Sequence, residues 1–277
     1  MRIHTMTAKK TRFTLVALML LAGLLSLPII AGADERGEGW RIMTDVDNRY
    51  RGDSWSMDMY ILLTDENGRE RERSLRMLGK MFGDDERTLT YVTSPSRLRG
   101  TGILTYDWDD RARSNESWLY LPDLGRVTRL TTSSRSDYFL GTDFTYGDLE
   151  GLDVEDFEYA IDRENSNDSE TVVDAEPLDR DIIDKYGYTR IRYWVDTERD
   201  LVTRAQYWLQ NEGWVKYYSQ FDFEEIDGVW VSGREQMVLT RDNRRIHSTV
   251  ITRGDVEINL DISDNTFTTG GLERAAE

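Results

Sequence analysis

The stretch Ser117–Leu149, SWLYLPDLGRVTRLTTSSRSDYFLGTDFTYGDL, decides how the rest of the chain is read. Trp118 and Tyr120 alternate with Leu119 and Leu121, the two-residue period of a pleated strand. Pro122 ends that strand because it has no N–H for a ladder, Asp123–Gly125 reads as a turn, and Val127, Arg129 and Leu130 open a second short strand. After the Ser/Thr-rich tract Thr131–Ser134 comes Tyr138, Phe139, Leu140, Gly141, Thr142, Asp143, Phe144, Thr145, Tyr146, Gly147, Asp148 and Leu149. This run is aromatic and apolar, but Gly141 and Gly147 interrupt it, so it is too irregular for a strand and too glycine-rich for a stable helix. Irregular apolar chain has to cover something apolar.

The flanking chain is strand-rich. Trp55, Met57, Met59, Ile61 and Leu63 share one face, with Ser54, Ser56 and Asp58 opposite, and Asn67-Gly68 is a hairpin turn. Leu75 and Met77 return on the next strand. Leu89 to Thr93 and Leu104 to Trp108 follow, separated by a connection over Pro95–Gly100. Beyond Gly151, strands are expected at 154–161, 171–175, 188–195, 201–209, 215–223, 229–239 and 246–251, with a last short one at 256–260. Two helices are expected. One, over 34–51, would place Trp40, Met43, Val46 and Tyr50 on one face; the other would run over 178–186. Many strands with short turns predict a mainly β fold: a strongly curved antiparallel sheet of roughly eleven strands, a meander with a few helices and a covering loop. An outer-membrane barrel shares the alternation, but Arg71, Glu72, Arg73 and Arg76 crowd one strand and Asp222, Glu224 and Glu225 another, which argues against a lipid-facing surface.

Composition adds bounds. Residues 1–33 read as a secretory signal: Lys9, Lys10 and Arg12 are basic, Phe13–Ile30 is apolar, and Ala31-Gly32-Ala33 is a small-residue cleavage site. An uncleaved anchor is the rival, since the apolar run approaches spanning length. Residues 34–277 would then form one domain. The leader holds four of the 35 basic residues and no acid, so the remainder carries 31 bases against 52 acids, a net charge of −21. Such a surface repels nucleic acid and anionic lipid headgroups. With no cysteine there is no lipid-modified N-terminus, no disulfide and no thiolate metal site.

The central block resembles a known family. WLYLPxLxRVxRL (Trp118–Leu130), a serine-rich stretch and FLGTDFTYGDL (Phe139–Leu149) look like the signature of the periplasmic outer-membrane lipoprotein-sorting proteins, LolA-like, in the branch associated with RND/MMPL-type exporters. RGDSWSMDM (Arg51–Met59), Arg73–Tyr106, Tyr193–Trp208, FEEIDGVWV (Phe223–Val231) and NTFTTGGLE (Asn265–Glu273) fit in the same order. The resemblance implies an incomplete barrel, LolA/LolB-like, with helices and a lid over its open mouth. It also implies a periplasmic location, lipid or lipoprotein acyl chains as cargo, an inner-membrane RND/MMPL-type exporter as partner, and an outer-membrane acceptor. The cavity and lid candidates are Trp55, Met57, Met59, Trp118, Tyr120, Tyr138, Phe139, Leu140, Phe144 and Tyr146, with Gly141 and Gly147 as hinges. The family holds its lid with an interior arginine, for which Arg126 and Arg129 are the candidates; the alternative for both is a surface position paired with Asp123 or Asp137.

Catalytic patterns are lacking. Beyond the leader the one histidine is His247, and no G-x-S-x-G, phosphate-cradling glycine loop or H-E-x-x-H is present. Carboxylate pairs such as Asp84–Asp85 carry little information among 52 acids, so a carboxylate hydrolase is the weakest alternative. The expectation is a carrier without cofactor or metal. A periplasmic sensor that binds lipid or lipoprotein and regulates a membrane partner is the runner-up.

Overall fold

The computed structural model describes residues 37–110, 113–131 and 135–275. The expected leader and residues 132–134 of the Ser/Thr tract lie outside the described residues.

Thirteen strands form one sheet: β1 (Ser54–Asp65), β2 (Glu70–Phe82), β3 (Asp85–Ser94), β4 (Gly102–Asp107), β5 (Glu116–Leu121), β6 (Arg126–Arg129), β7 (Phe157–Ile161), β8 (Thr171–Pro177), β9 (Tyr188–Asp196), β10 (Leu201–Leu209), β11 (Trp214–Ile226), β12 (Val229–Arg241) and β13 (Arg244–Ile258). The helices are α1 (Gly37–Asp47), α2 (Tyr146–Glu150), α3 (Arg180–Tyr186) and α4 (Thr269–Arg274). The spatial order is β6-β5-β4-β3-β2-β1-β13-β12-β11-β10-β9-β8-β7, antiparallel throughout. Two meanders therefore meet where β1 pairs with β13, and β6 and β7 are the two free edges of an unclosed sheet.

Local chemistry accounts for most of these elements. The Asp65 carboxylate accepts the N–H groups of Asn67 and Arg69, and Gly68 is left-handed, which closes the β1–β2 hairpin. Asp227-Gly228 and Asp242-Asn243 each place two consecutive residues at positive φ, the two-residue turns that match strand twist. The expected strand at 256–260 is instead the end of β13. A bulge where Asp255 has φ of 47° breaks the period there, so one bent strand reads as two. Trp108 lies just past β4. The first helix stops at Asp47, so Tyr50 lies off its face and is exposed. Asp179 caps α3, its carboxylate accepting the Ile182 N–H.

The sheet buries apolar side chains on both faces. The concave face and the elements covering it bury Met43, Met59, Ile61, Leu75, Ile191, Tyr207, Met237 and Ile251 in one large cluster. A second cluster, Leu89, Leu104, Phe267 and Leu272, lies on the opposite face of β2–β6 under α4. Leu89 and Leu104 alternate along their strands with Thr88, Thr90, Ile103 and Thr105, which face the concave side.

Candidate functional site

The chain between β6 and β7 must travel from one free edge of the sheet to the other. Residues 137–147 fold on the way into a small hairpin. Phe139 N–H donates to Phe144 O (2.8 Å), Tyr146 N–H to Asp137 O (3.0 Å), and Thr142 N–H to Phe139 O (2.8 Å). Leu140 and Gly141, both left-handed, turn the tip. Glycine content had argued against helix here, yet α2 follows directly. Thr145 and Asp148 form a reciprocal capping box that satisfies its first turn.

Beneath this segment lies a cavity of about 390 Å³. Met43 and Val46 of α1, Phe139, Phe144 and Leu149 of the crossing segment, and Met59, Ile61, Met77, Met237 and Ile251 of the sheet line it. A second cavity of about 230 Å³ adjoins it, sharing Arg51, Met77, Thr88, Leu149 and Arg253, and it takes in Trp55 and Met57.

Three polar clusters fasten the segment. At the tip, Asp143 is 2 % exposed; its N–H donates to Thr249 Oγ1 (2.9 Å), the Thr249 hydroxyl donates back to Asp143 Oδ2 (2.7 Å), and His247 Nδ1 lies 2.8 Å from that oxygen. At α2, the Tyr188 hydroxyl donates to Asp148 (2.7 Å) and receives a bond from the fully buried Lys216 Nζ (2.9 Å), which is itself 3.4 Å from Asp148. Burial, then the Asp148 charge, holds the Tyr188 hydroxyl well above its ordinary pKa, so it remains a donor. At the base, buried Arg135 pairs with buried Glu150 and donates to Asn115 O (2.8 Å).

A fourth polar group sits in the cavity wall. Arg253 Nη2 donates to Glu235 Oε1 (2.8 Å), Arg253 Nη1 donates to Ser232 O (3.0 Å), and the Tyr218 hydroxyl donates to Glu235 Oε2. Phe144 meets the Tyr218 ring edge-on at 6.1 Å.

The predicted site residues divide accordingly. Met59, Phe139 and Phe144 line the main cavity, and Trp55 and Met57 the adjoining one. Tyr146 packs edge-on against Phe139 at 5.7 Å, Leu140 is half-buried, and Tyr138 is exposed with its ring 4.9 Å from Lys216 Nζ. Trp118 and Tyr120 do not reach the cavity: they pack in the cluster under α4, because Ser117 and the odd-numbered positions of β5 take the concave side. Arg126 and Arg129 are exposed on edge strand β6, and Arg129 pairs with Glu116, so neither holds the lid. Gly141 is left-handed, but Gly147 has ordinary helical backbone inside α2; a Cβ there would lie 3.2 Å from Tyr186 Cδ1 and 3.3 Å from Arg135 O, so close packing and not hinging requires glycine. Arg135, Lys216, Glu235 and Arg253 went unnoticed in the sequence. For the last two the only signal was their place in the inward alternations Glu235-Met237-Leu239 and His247-Thr249-Ile251-Arg253. Among the described residues no group of three or more His, Cys, Asp or Glu side chains could hold a metal ion, and no helix is long and apolar enough to cross a membrane.

Residues 84–274, 191 of the 277, match a family model described as an uncharacterized protein. The chain belongs to that family. Solved structures resemble it over most of its length. One, described as an outer membrane lipoprotein-sorting protein domain from Vibrio parahaemolyticus, is 22% identical with a TM-score of 0.74, covering 85% of this chain and 98% of that one. A DUF1329 family protein from Desulfovibrio piger is 23% identical with a TM-score of 0.74, covering 84% and 97%. A LolA superfamily protein from Nitrosomonas europaea is 20% identical with a TM-score of 0.61, covering 84% and 98%. The chain thus has a LolA-like fold. A sequence comparison with curated proteins found no match.

Proposed function

We propose that this protein is a periplasmic, non-enzymatic carrier. It would bind a lipid, or the acyl chains of a lipoprotein, beneath the segment between β6 and β7, and release them toward the outer membrane in cooperation with an inner-membrane RND-type exporter. The observation that carries this reading is an apolar cavity of about 390 Å³ roofed by a segment that is tethered by polar contacts rather than woven into the sheet. A core that needed only to be filled would have no such space.

The energetics set the direction of traffic. Burying ten methylenes is worth on the order of 8 kcal/mol, and a bilayer offers the same. A soluble cavity therefore gains almost nothing by taking a chain out of a membrane, so loading requires a partner that does work and release requires a better acceptor. Residues 1–33 would act as a cleaved export signal, leaving 34–277 as the carrier domain.

Native mass spectrometry of the protein purified without detergent, followed by lipid extraction, tests the reading. A bound mass in the lipid or acylated-peptide range is expected, and it should be lost in a folded Phe144→Asp variant, which puts a charge into the cavity roof. An apo mass together with no uptake of a fluorescent fatty acid would overturn the carrier reading.

A further inference from the structure

Resting on the carrier reading, we infer that Arg253 recognises the carboxylate or ester carbonyl of a single-chain acyl amphiphile, whose chain lies in the main cavity and whose polar end enters the adjoining one.

Size bears on the number of chains. At about 30 Å³ per group, the volume of a water molecule in the liquid, 390 Å³ is room for about a dozen methylene-sized groups, the size of one acyl chain. Position bears on the polar end. Arg253 lines both cavities, so it stands where one passes into the other. The main cavity is walled by Met59, Met77 and Met237, while the smaller adds Arg49, Gln220 and Ser232. An amphiphile laid through both would pass its head-to-chain junction by Arg253.

The chemistry of Arg253 suits that junction. A guanidinium has five N–H donors. Arg253 directs them at Glu235 Oε1 and at the carbonyl and hydroxyl oxygens of Ser232, at most three donors, and none goes to the lid. Donors therefore remain for an acceptor in the cavity, and the Glu235 and Ser232 contacts fix their direction. Tyr218 and Arg253 hold Glu235 from both sides, so its carboxylate is occupied and a cationic ligand finds no free acceptor there. Phe144 rests on Tyr218, so a ligand seated at this group pushes on the roof. A charged pair in an apolar wall is poor economy for stability, since well-packed apolar residues of similar size are often as good or better.

The test is displacement of the neutral fluorophore N-phenyl-1-naphthylamine from the full mature protein by hexadecanoate, methyl hexadecanoate, hexadecylamine and a two-chain phosphatidylcholine. Hexadecanoate should compete about tenfold or more better than hexadecylamine, the discrimination expected of one charge-assisted hydrogen bond. Methyl hexadecanoate tells the two acceptors apart: parity with hexadecanoate assigns an ester carbonyl, and loss assigns a free carboxylate. The two-chain lipid should compete poorly. In Arg253→Met combined with Glu235→Leu, which removes both charges and so avoids stranding one, the preference for acid over amine, read as the ratio of their competition against the fluorophore, should disappear. Equal competition by acid and amine, strong competition by the two-chain lipid, or a preference that survives in the double variant would overturn the inference while leaving the cavity intact. Failure of the wild type to bind the fluorophore would sink the carrier reading with it.

Discussion

Two charged positions, one fully buried and one half-buried, show opposite solutions to the same problem. Lys216 has no exposed surface, yet its ammonium has the Tyr188 hydroxyl at 2.9 Å, Asp148 at 3.4 Å and the face of Tyr138 at 4.9 Å. Its desolvation is offset by partners on three sides. Asp107, at the end of β4, has no such compensation. Burial, then the charges of Glu86, Asp47 and Asp153, raise its carboxyl from the ordinary 3.8 to about 7, against a weaker opposing hydrogen bond from Asn115. The native state therefore binds this proton more tightly than the unfolded chain. The group costs nothing below about pH 4, costs progressively more as pH rises, and reaches its full penalty above about pH 7. Asp107→Asn should accordingly be more stable than the wild type at pH 8 by about 1–3 kcal/mol, with no gain at pH 4. Urea denaturation at the two pH values measures this, and an equal effect at both would refute it.

At the scale of an element, the crossing segment is specified by different physics at its two glycines. Gly141 has φ of 74° and open space around its Cα, so the cost of a side chain there is backbone conformation alone. Gly147 has helical backbone and crowded surroundings. Its neighbours cannot easily yield, because Arg135 O accepts the Gly147 N–H and the Tyr186 hydroxyl is held by Asp156 at 2.8 Å. Gly141→Ala should cost about 1 kcal/mol through left-handed strain. Gly147→Ala should cost about 1–2 kcal/mol through overpacking, despite alanine's better helix propensity. Thermal denaturation will report both. The distinguishing result is a Gly141→Asn variant that recovers part of the loss, as left-handed backbone allows, while Gly147→Asn does not.

For the whole molecule, the sheet stays open because β6 and β7 never pair, and the chain joining them crosses the concave face, where Phe139, Phe144 and Leu149 line the cavity. That crossing makes residues 135–150 a roof, and under the proposed carrier role their attachment to β9, β11 and β13 is the contact that loading would have to break. Asp143 and Thr249 touch across this joint, and the chain has no cysteine of its own. Replacing both with cysteine gives a lock with no competing thiol. Oxidised, the variant should fail to take up a fluorescent fatty acid; reduced, it should regain uptake. Uptake unaffected by oxidation would mean that cargo enters by another path.

The sequence by itself determined the pieces governed by neighbours along the chain. Alternation marked β1, β5 and most later strands, Asn67-Gly68 marked a hairpin, and the aromatic, glycine-broken run Tyr138–Leu149 marked a covering segment. Each depends on dihedral preference or on a two-residue period, and both can be read locally. Only the tertiary structure decided which face of a strand is the inside. Where both faces of the sheet are covered, as at β3–β5, alternation separates the two sets of side chains without saying which set meets the cavity. Trp118 and Tyr120 were therefore assigned to the cavity, although they pack under α4. The interior cations were hidden for the same reason. Arg253, Lys216 and Arg135 gain their partners Glu235, Tyr188 and Glu150 from strand order and from the folding of the crossing segment, whereas Arg126 and Arg129, next to the signature in sequence, end on an exposed edge. A side chain's burial is set by what the assembled sheet places opposite it, and no window of neighbouring residues contains that information.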